Sequence, residues 1–246
     1  MSLARDLDYT DRRVLVTGAA NGFGAAMTAA FREAGATVVM ADVERETLLP
    51  VAARLGAEAH VFDQSDPASI ERLATATGAV DVLVNNAGVL TAKPLLETST
   101  AEMRQLIDVD FLGVALMMRA FGAGMVARGS GVILNISSQT AFCGGENRAV
   151  YAAAKAAVAQ LTRSAAVEWR PSGVRVLALA PGRCLTRMTL VTRQKGLSGD
   201  RGLSRVPLGR WGEAEEIAKM AVMLCSPAAG YVTGETVIAD GGYVLG

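Results

Sequence analysis

The chain has 246 residues, 51% of them hydrophobic, and its 24 basic and 24 acidic side chains cancel. That length suits one large α/β domain or two small ones, and the balanced charge, without long runs of one sign, argues against a nucleic-acid or membrane-surface partner. Three distant cysteines (Cys143, Cys184, Cys225) make no disulfide framework and fit a reducing, cytoplasmic compartment, while a single histidine, His60, argues against a zinc site, so no metal is expected.

Met1–Asp11 is charged and lacks the apolar core of a signal peptide, and no uninterrupted apolar stretch approaches the ~20 residues of a bilayer span. Strand-like and helical runs then alternate. Arg13–Thr17 is short, apolar and β-branched; glycines follow, and Ala25–Ala34 reads as a helix closed by Gly35. Thr37–Ala41 is a second strand ending at Asp42, and Glu44–Leu55 is a helix that stops at Gly56. Ala59–Phe62 is a third strand reaching Asp63, followed by a helix over Pro67–Ala76 with proline in its first turn. Asp81–Val84 is a fourth strand running into Asn85-Asn86-Ala87-Gly88. A long helix spans about Ala101–Ala127, with Ser99 and Glu102 in capping-box positions. Gly131–Ile136 is a fifth strand ending in Ser137-Ser138, and the next helix, carrying Tyr151 and Lys155, runs to about Trp169 before Pro171. Val174–Leu179 is a sixth strand leading to Pro181-Gly182. Arg183–Arg210 lacks periodicity and reads as a mobile loop; Glu213–Leu224 is the last helix and Glu235–Ile238 the last strand. This alternation predicts an α/β, three-layer fold: a doubly wound parallel sheet with helices on both faces, one domain over residues 1–246.

The stretch Thr17-Gly-Ala-Ala-Asn-Gly-Phe-Gly24 lies between the first strand and the first helix. Gly18, Gly22 and Gly24 permit a tight turn and close backbone approach. Free N–H groups at the start of the helix, near Asn21 and Phe23, favour a pyrophosphate. A glycine triplet alone is weak, but between strand and helix it is a strong dinucleotide signal. Asp42 ends the second strand, where a carboxylate accepts both hydroxyls of an adenosine ribose and repels a 2′-phosphate. Asn21 and Val43 stand where a basic residue would welcome that phosphate, so NAD is favoured over NADP, although Arg45 is close. Asp42 is equally placed to cap the Glu44 helix, and the two roles are compatible. Asp63 is placed for the adenine amino group, and Asn86, Ala87 and Gly88 for the adenosine ribose.

Tyr151 and Lys155 stand four apart on one helical face. A neighbouring cation favours a phenolate, so this tyrosine could exchange a proton with an alcohol or carbonyl. Such a pair alone is more often packing and surface charge. Ser138, 13 residues earlier, could donate to a substrate oxygen, or could simply be a turn residue.

Thr17-Gly18-x-x-x-Gly22-x-Gly24, Asn85-Asn86-Ala87-Gly88, Ser138, Tyr151-x-x-x-Lys155, Pro181-Gly182, Thr186 and Asp240-Gly241-Gly242 come in the order and spacing of one family. The chain resembles the short-chain dehydrogenase/reductases of the ~250-residue, single-domain type along essentially its whole length. The resemblance implies a Rossmann fold and reversible hydride transfer between a nicotinamide and a secondary alcohol or ketone. It assigns Tyr151 as general acid/base and Ser138 as the group orienting the substrate oxygen. Lys155 holds the nicotinamide ribose; Thr186, with the backbone from Pro181 through Gly182 to Leu185, contacts the carboxamide, and Ile136 packs near the ring. One position departs: Asp110 stands where the family has an asparagine that holds a relay water. Ionised, Asp110 accepts but cannot donate. It either favours protonated Lys155 with the relay intact, or slows or shifts the relay, or weakens activity.

Glu146, Asn147 and Arg148 just before Tyr151, together with the loop at about 183–210, are the expected substrate region, or else a solvated loop. The segments Met125–Gly129, Ala166–Trp169 and Met188–Leu190 look similar to polyol and sugar-alcohol dehydrogenases, and the last third to 3-oxoacyl reductases. A polyol or similar small hydroxy compound is therefore the leading substrate class. The rivals are a 3-oxoacyl thioester or other carbonyl, and a non-catalytic NAD-binding regulator. Alanine-rich faces at Ala152, Ala153, Ala156 and Ala157 and on the Glu213 helix imply, through the family, a homotetramer.

Overall fold

The structure is a computed structural model describing residues 2–186, 189 and 200–245. Strands β1 (Arg13–Thr17), β2 (Thr37–Asp42), β3 (Glu58–Val61), β4 (Val82–Asn85), β5 (Gly131–Ile136), β6 (Val174–Pro181) and β7 (Thr236–Ala239) form one seven-stranded sheet. Their order is β3-β2-β1-β4-β5-β6-β7, and every neighbouring pair is parallel. The winding direction reverses between β1 and β4. In such sheets ligands bind in the crevice outside the carboxyl ends of the strands at that reversal.

The helices are α1 (Leu3–Asp6), α2 (Gly22–Glu33), α3 (Arg45–Leu55), α4 (Pro67–Thr77), α5 (Thr100–Ile107), α6 (Gly113–Arg128), α7 (Ala149–Glu168) and α8 (Ala214–Cys225). Alternation along each strand divides the core into two layers. Val14 and Val16 pack with Met27 and Phe31 of α2 and with Ile217, Ala221 and Leu224 of α8. Leu15 faces the other way, toward Ile70 of α4, Met117 and Phe121 of α6 and Val158 of α7. Both faces are covered, which is why the strands read as continuous apolar runs rather than alternating ones. Each fully buried side chain of this kind contributes about 1.5–3 kcal/mol.

Two boundaries differ from the sequence reading in ways that matter for the site. Helix α2 begins at Gly22, not Ala25, so the last glycines are its first turn rather than the approach to it. The long helix is not continuous. It starts as expected, with the Ser99–Glu102 capping box formed in both directions, but α5 stops at Ile107. Asp108–Leu112 is a π turn, and α6 resumes at Gly113. A π turn accommodates one extra residue without a proline or glycine signal, so periodicity does not announce it. By length and composition Thr100–Arg128 could cross a membrane. Here it lies in the second core layer, burying Val114, Met117, Phe121 and Met125. Of the expected substrate loop, residues 187, 188 and 190–199 lie outside the described residues.

Candidate active site

The loop after β1 is shaped by close approach. A Cβ on Gly24 would stand 2.1 Å from the Gly18 carbonyl oxygen, and one on Gly18 would stand 2.6 Å from Ala87 Cα. A Cβ on Gly22 would meet only ordinary contact with Thr186, but its left-handed φ of +54° disfavours any other residue. Asn86 Nδ2 donates to the carbonyls of Thr17 and Gly18, both at 2.9 Å. Thr17 Oγ1 in turn accepts from the N–H groups of Asn86 and Ala87, each at 3.0 Å. The ends of β1 and β4 are thereby laced together. Asp42, buried, bonds two loops: Oδ2 accepts from Ala20 N–H and Oδ1 from Glu44 N–H, each at 2.9 Å; Glu44 is itself the N-cap of α3, so Asp42 braces the residue before the helix rather than capping its first turn. Helix α2 opens with Asn21 at its N-cap and no side chain bonded to its first N–H groups. Those donors and the glycine floor fit a pyrophosphate. Thr186 lies beside this loop, its Cβ 3.7 Å from where a Gly22 Cβ would be. Asp63 is exposed, and its Oδ1 accepts from Ser65 N–H and Oγ.

Lys155 projects from α7 toward the end of β5, with Tyr151 one turn earlier on the same helix. Lys155 Nζ donates to the Ile136 carbonyl at 3.1 Å and lies 3.1 Å from Asp110 Oδ2. It sits 5.7 Å from the centre of the Tyr151 ring. Ser137 Oγ donates to the Lys155 carbonyl at 2.8 Å, clamping α7 to the end of β5. Ser138, buried beside it, accepts at Oγ from Thr140 N–H and Oγ1. Asp110 is fully buried on the π turn; its other oxygen accepts from Val89 N–H at 2.7 Å. A Cβ on Gly88 would stand 3.1 Å from Asp110 Oδ2 and 3.3 Å from Lys155 Nζ, so any larger residue would press on this ion pair. Burial pushes the Asp110 carboxyl up, against the pull of Lys155 and the Val89 N–H. For Lys155 burial pulls the ammonium down, but Asp110 and the Tyr151 phenol outweigh it, and the net shift is upward.

Toward the substrate side, a recess of about 40 Å³ is lined by Ser138, Gln139, Thr140, Arg148, Gly182, Arg183, Thr189 and Trp211. Of the three polar residues expected before Tyr151, Arg148 lines this recess. Glu146 is exposed, and Asn147, at a φ of +59°, accepts at its carbonyl from Lys93 N–H. Pro181 is buried at the end of β6, and Gly182 N–H donates to the Ala239 carbonyl at 2.9 Å. A larger hollow, about 450 Å³, shares Arg183 but none of Ser138, Tyr151 or Lys155 and lies away from this chemistry. Three supporting residues went unnoticed in the sequence. Gln64 Nε2 donates to the carbonyls of Ala87 and Val109, tying the β4 loop to the π turn. Asn135 is buried between Asn85 and Thr162, joining β4, β5 and α7. Arg183 was seen only as the start of a loop. The Tyr151 ring, the Lys155 ammonium and the Asp110 carboxylate lie together, with Ser138 just beyond the end of β5 that Lys155 bonds; a phenol, an ammonium and a hydroxyl are groups suited to proton exchange with an oxygen.

Comparison with known proteins agrees with this geometry. The family model described as enoyl-(acyl carrier protein) reductase matches residues 18–244. The chain is 41% identical over 238 residues to a galactitol 2-dehydrogenase (L-tagatose-forming) of Cereibacter sphaeroides, covering 94% of each. It is also 41% identical over 248 residues to a cis-4-hydroxycyclohexanecarboxylate dehydrogenase of Sinomonas cyclohexanicum, covering 96% of this chain and 97% of that one. A chain from Agrobacterium tumefaciens solved with bound NADP superposes with a TM-score of 0.89, at 36% identity and over 98% and 99% of the two chains. The chain belongs to the short-chain dehydrogenase/reductase family and is an NAD(P)-dependent oxidoreductase that interconverts alcohols and ketones.

Proposed function

We propose that the chain is an NAD-preferring dehydrogenase of a small secondary alcohol on a polyol or ring, with Tyr151 as its proton donor and acceptor. The observation that carries this reading is the buried Asp110–Lys155–Ile136 arrangement beside Tyr151, at the same sheet edge as the glycine loop. A nicotinamide dinucleotide, when bound, supplies hydride transfer at its ring. Gly18, Gly22, Phe23, Gly24 and Asn21 would hold its pyrophosphate, Asp42 and the Asn86–Gly88 loop its adenosine ribose, and Asp63 its adenine. Ile136, Pro181, Gly182 and Thr186 would face the nicotinamide, and Lys155 its ribose. Ser138 orients the substrate oxygen, Tyr151 exchanges the proton with it, and Asp110 keeps Lys155 charged and in place. The relatives active on galactitol and on a hydroxylated cyclohexane ring support the substrate class. The buried Asp42 carboxylate supports NAD, since a 2′-phosphate would meet its charge.

The test is a panel of polyols, cyclic alcohols and a 3-hydroxyacyl thioester, followed by absorbance of the reduced cofactor. Tyr151→Phe should lower turnover by about 10²–10⁴-fold while NAD binding persists. A variant that keeps its rate removes Tyr151 from the chemistry. Parallel titrations decide the cofactor: NADP binding as tight as NAD defeats the preference. Half-buried to exposed Ala152, Ala153, Ala156 and Ala157 on α7 support a homotetramer, and three free thiols support a cytoplasmic setting. A monomer by light scattering would contradict the assembly.

A further inference from the structure

The recess beside Ser138 is small and its charge is one-sided. At about 40 Å³ it holds roughly three water-sized groups, the size of one carboxylate. Two of its lining residues are Arg148 and Arg183, and no carboxylate lines it among the described residues. Arg148 occupies the N-cap position of α7, three residues before Tyr151, and its side chain bonds to no described residue. Arg183 is stacked, its Cζ 5.8 Å from the Trp211 ring centre and 5.4 Å from that of Tyr243. Its Nε is buried without a hydrogen-bond partner, and so is Trp211 Nε1. These are donors, and they are directed at nothing the described residues supply. Burial pulls the Arg148 guanidinium down, and Arg183 adds to that pull against Tyr151 and Tyr243. Two nearby like charges without a counter-ion are costly, and an oxyanion between them relieves that cost with charge-assisted hydrogen bonds. In the sequence, Arg183–Arg205 holds Arg183, Arg187, Arg193, Lys195, Arg201 and Arg205 against a single acid, Asp200, so a chain that is neutral as a whole concentrates basic charge here.

We propose that the substrate is a hydroxy acid: its oxyanion sits between Arg148 and Arg183 while its carbinol reaches Ser138 and Tyr151. This rests on the dehydrogenase reading above and narrows it, because a neutral polyol leaves both guanidinium groups uncompensated. A carboxylate and a phosphate monoester share the required chemistry, and the recess size favours the carboxylate.

The experiment compares kcat/KM with saturating NAD for matched alcohols: 4-hydroxycyclohexanecarboxylate against its methyl ester, gluconate against glucitol, and glucitol 6-phosphate as the phosphate arm. The acids should exceed their neutral partners at least tenfold, mostly through KM, and the phosphate should fall below gluconate. Arg148→Gln and Arg183→Gln should each pull the acid-to-neutral ratio toward one; Arg148→Gln decides alone if the other does not fold. Neutral alcohols used as well as their acids would overturn the proposal and leave the dehydrogenase reading standing. A superior phosphate would overturn the carboxylate assignment. If no alcohol is oxidised, the dehydrogenase reading fails, and the recess is read by thermal shift of the NAD-bound protein with cyclohexanecarboxylate. A shift lost in Arg148→Gln supports an anion site; an equal shift in both proteins rejects it.

Discussion

Replacing Asp110 by asparagine tests the ion pair at the centre of the site. The change is nearly isosteric, but Asp110 uses one oxygen as an acceptor for Val89 N–H at 2.7 Å and holds the other 3.1 Å from Lys155 Nζ as an ion-pair contact. An amide has one acceptor oxygen, so one buried donor loses its partner, at a cost of about 1–3 kcal/mol. The charge effect is larger in gross terms. At 3.1 Å and an effective dielectric of about 20, the gross attraction is on the order of 5 kcal/mol. The sign follows from the balance on Lys155: burial lowers its pKa, Asp110 and Tyr151 raise it, and the net is up. Removing Asp110 therefore lowers it. In the parent protein this raised pKa contributes stability that is fully present below the unfolded value of about 10.4 and is lost as pH rises through the folded value. In Asp110→Asn the loss begins at lower pH. The assay is kcat/KM from pH 6 to 11 with saturating cofactor, alongside urea unfolding. The alkaline limb should move to lower pH, and the unfolding midpoint should fall. Superimposable pH profiles with an unchanged midpoint would refute the argument.

The glycine loop offers an internal contrast. Gly22→Ala meets ordinary contact with Thr186 and a left-handed φ, so it should cost about 1–2 kcal/mol and weaken cofactor binding modestly. Gly24→Ala drives a methyl into the Gly18 carbonyl and should abolish cofactor binding by calorimetry; equal affinities would show that the loop is not a fitted cradle. Burial raises Cys184 and Cys225 to about 12, so at pH 8 a thiol-alkylating reagent should label half-buried Cys143 quickly and the other two only on unfolding. Arg175 donates to the carbonyls of Leu224 and Cys225, the last residues of α8, and of Ser226, Ala229 and Val232 just beyond it. Arg175→Ala should lower stability by about 2–4 kcal/mol in urea titration with kcat little changed, and a midpoint shift near zero would contradict this capping role.

The strands and their ends were legible because a parallel sheet covered on both faces demands apolar runs, and its turns demand glycine, proline and short polar residues. Since every strand points the same way, Gly18, Asp42, Asn86, Ser138 and Pro181 were bound to share one edge. Other features left no local mark. Gln64 and Asn135 are polar residues whose partners lie 17 to 50 positions away, so nothing beside them in sequence says that they are buried. Arg183 sits in a stretch without periodicity, and its stacking on Trp211 and Tyr243 is purely tertiary. Asp42 was legible as a helix cap and a ribose ligand at once; in place of the cap, its carboxylate ties the loop after β1 to the residue before α3, a tertiary bond that the sequence does not announce.

The break at Asp108–Leu112 gives one rod two independent rotational settings. The first half and the turn itself aim Asp110 at Lys155. The second half is indexed by Gly113, where any Cβ would strike the Gln64 carbonyl at 2.5 Å, and by the methionines it seats in the core. Shortening the turn by one residue would heal the winding but swing one half through about 100° relative to the other. Length within those five positions cannot drift without sacrificing either the proton chemistry or the packing beneath it.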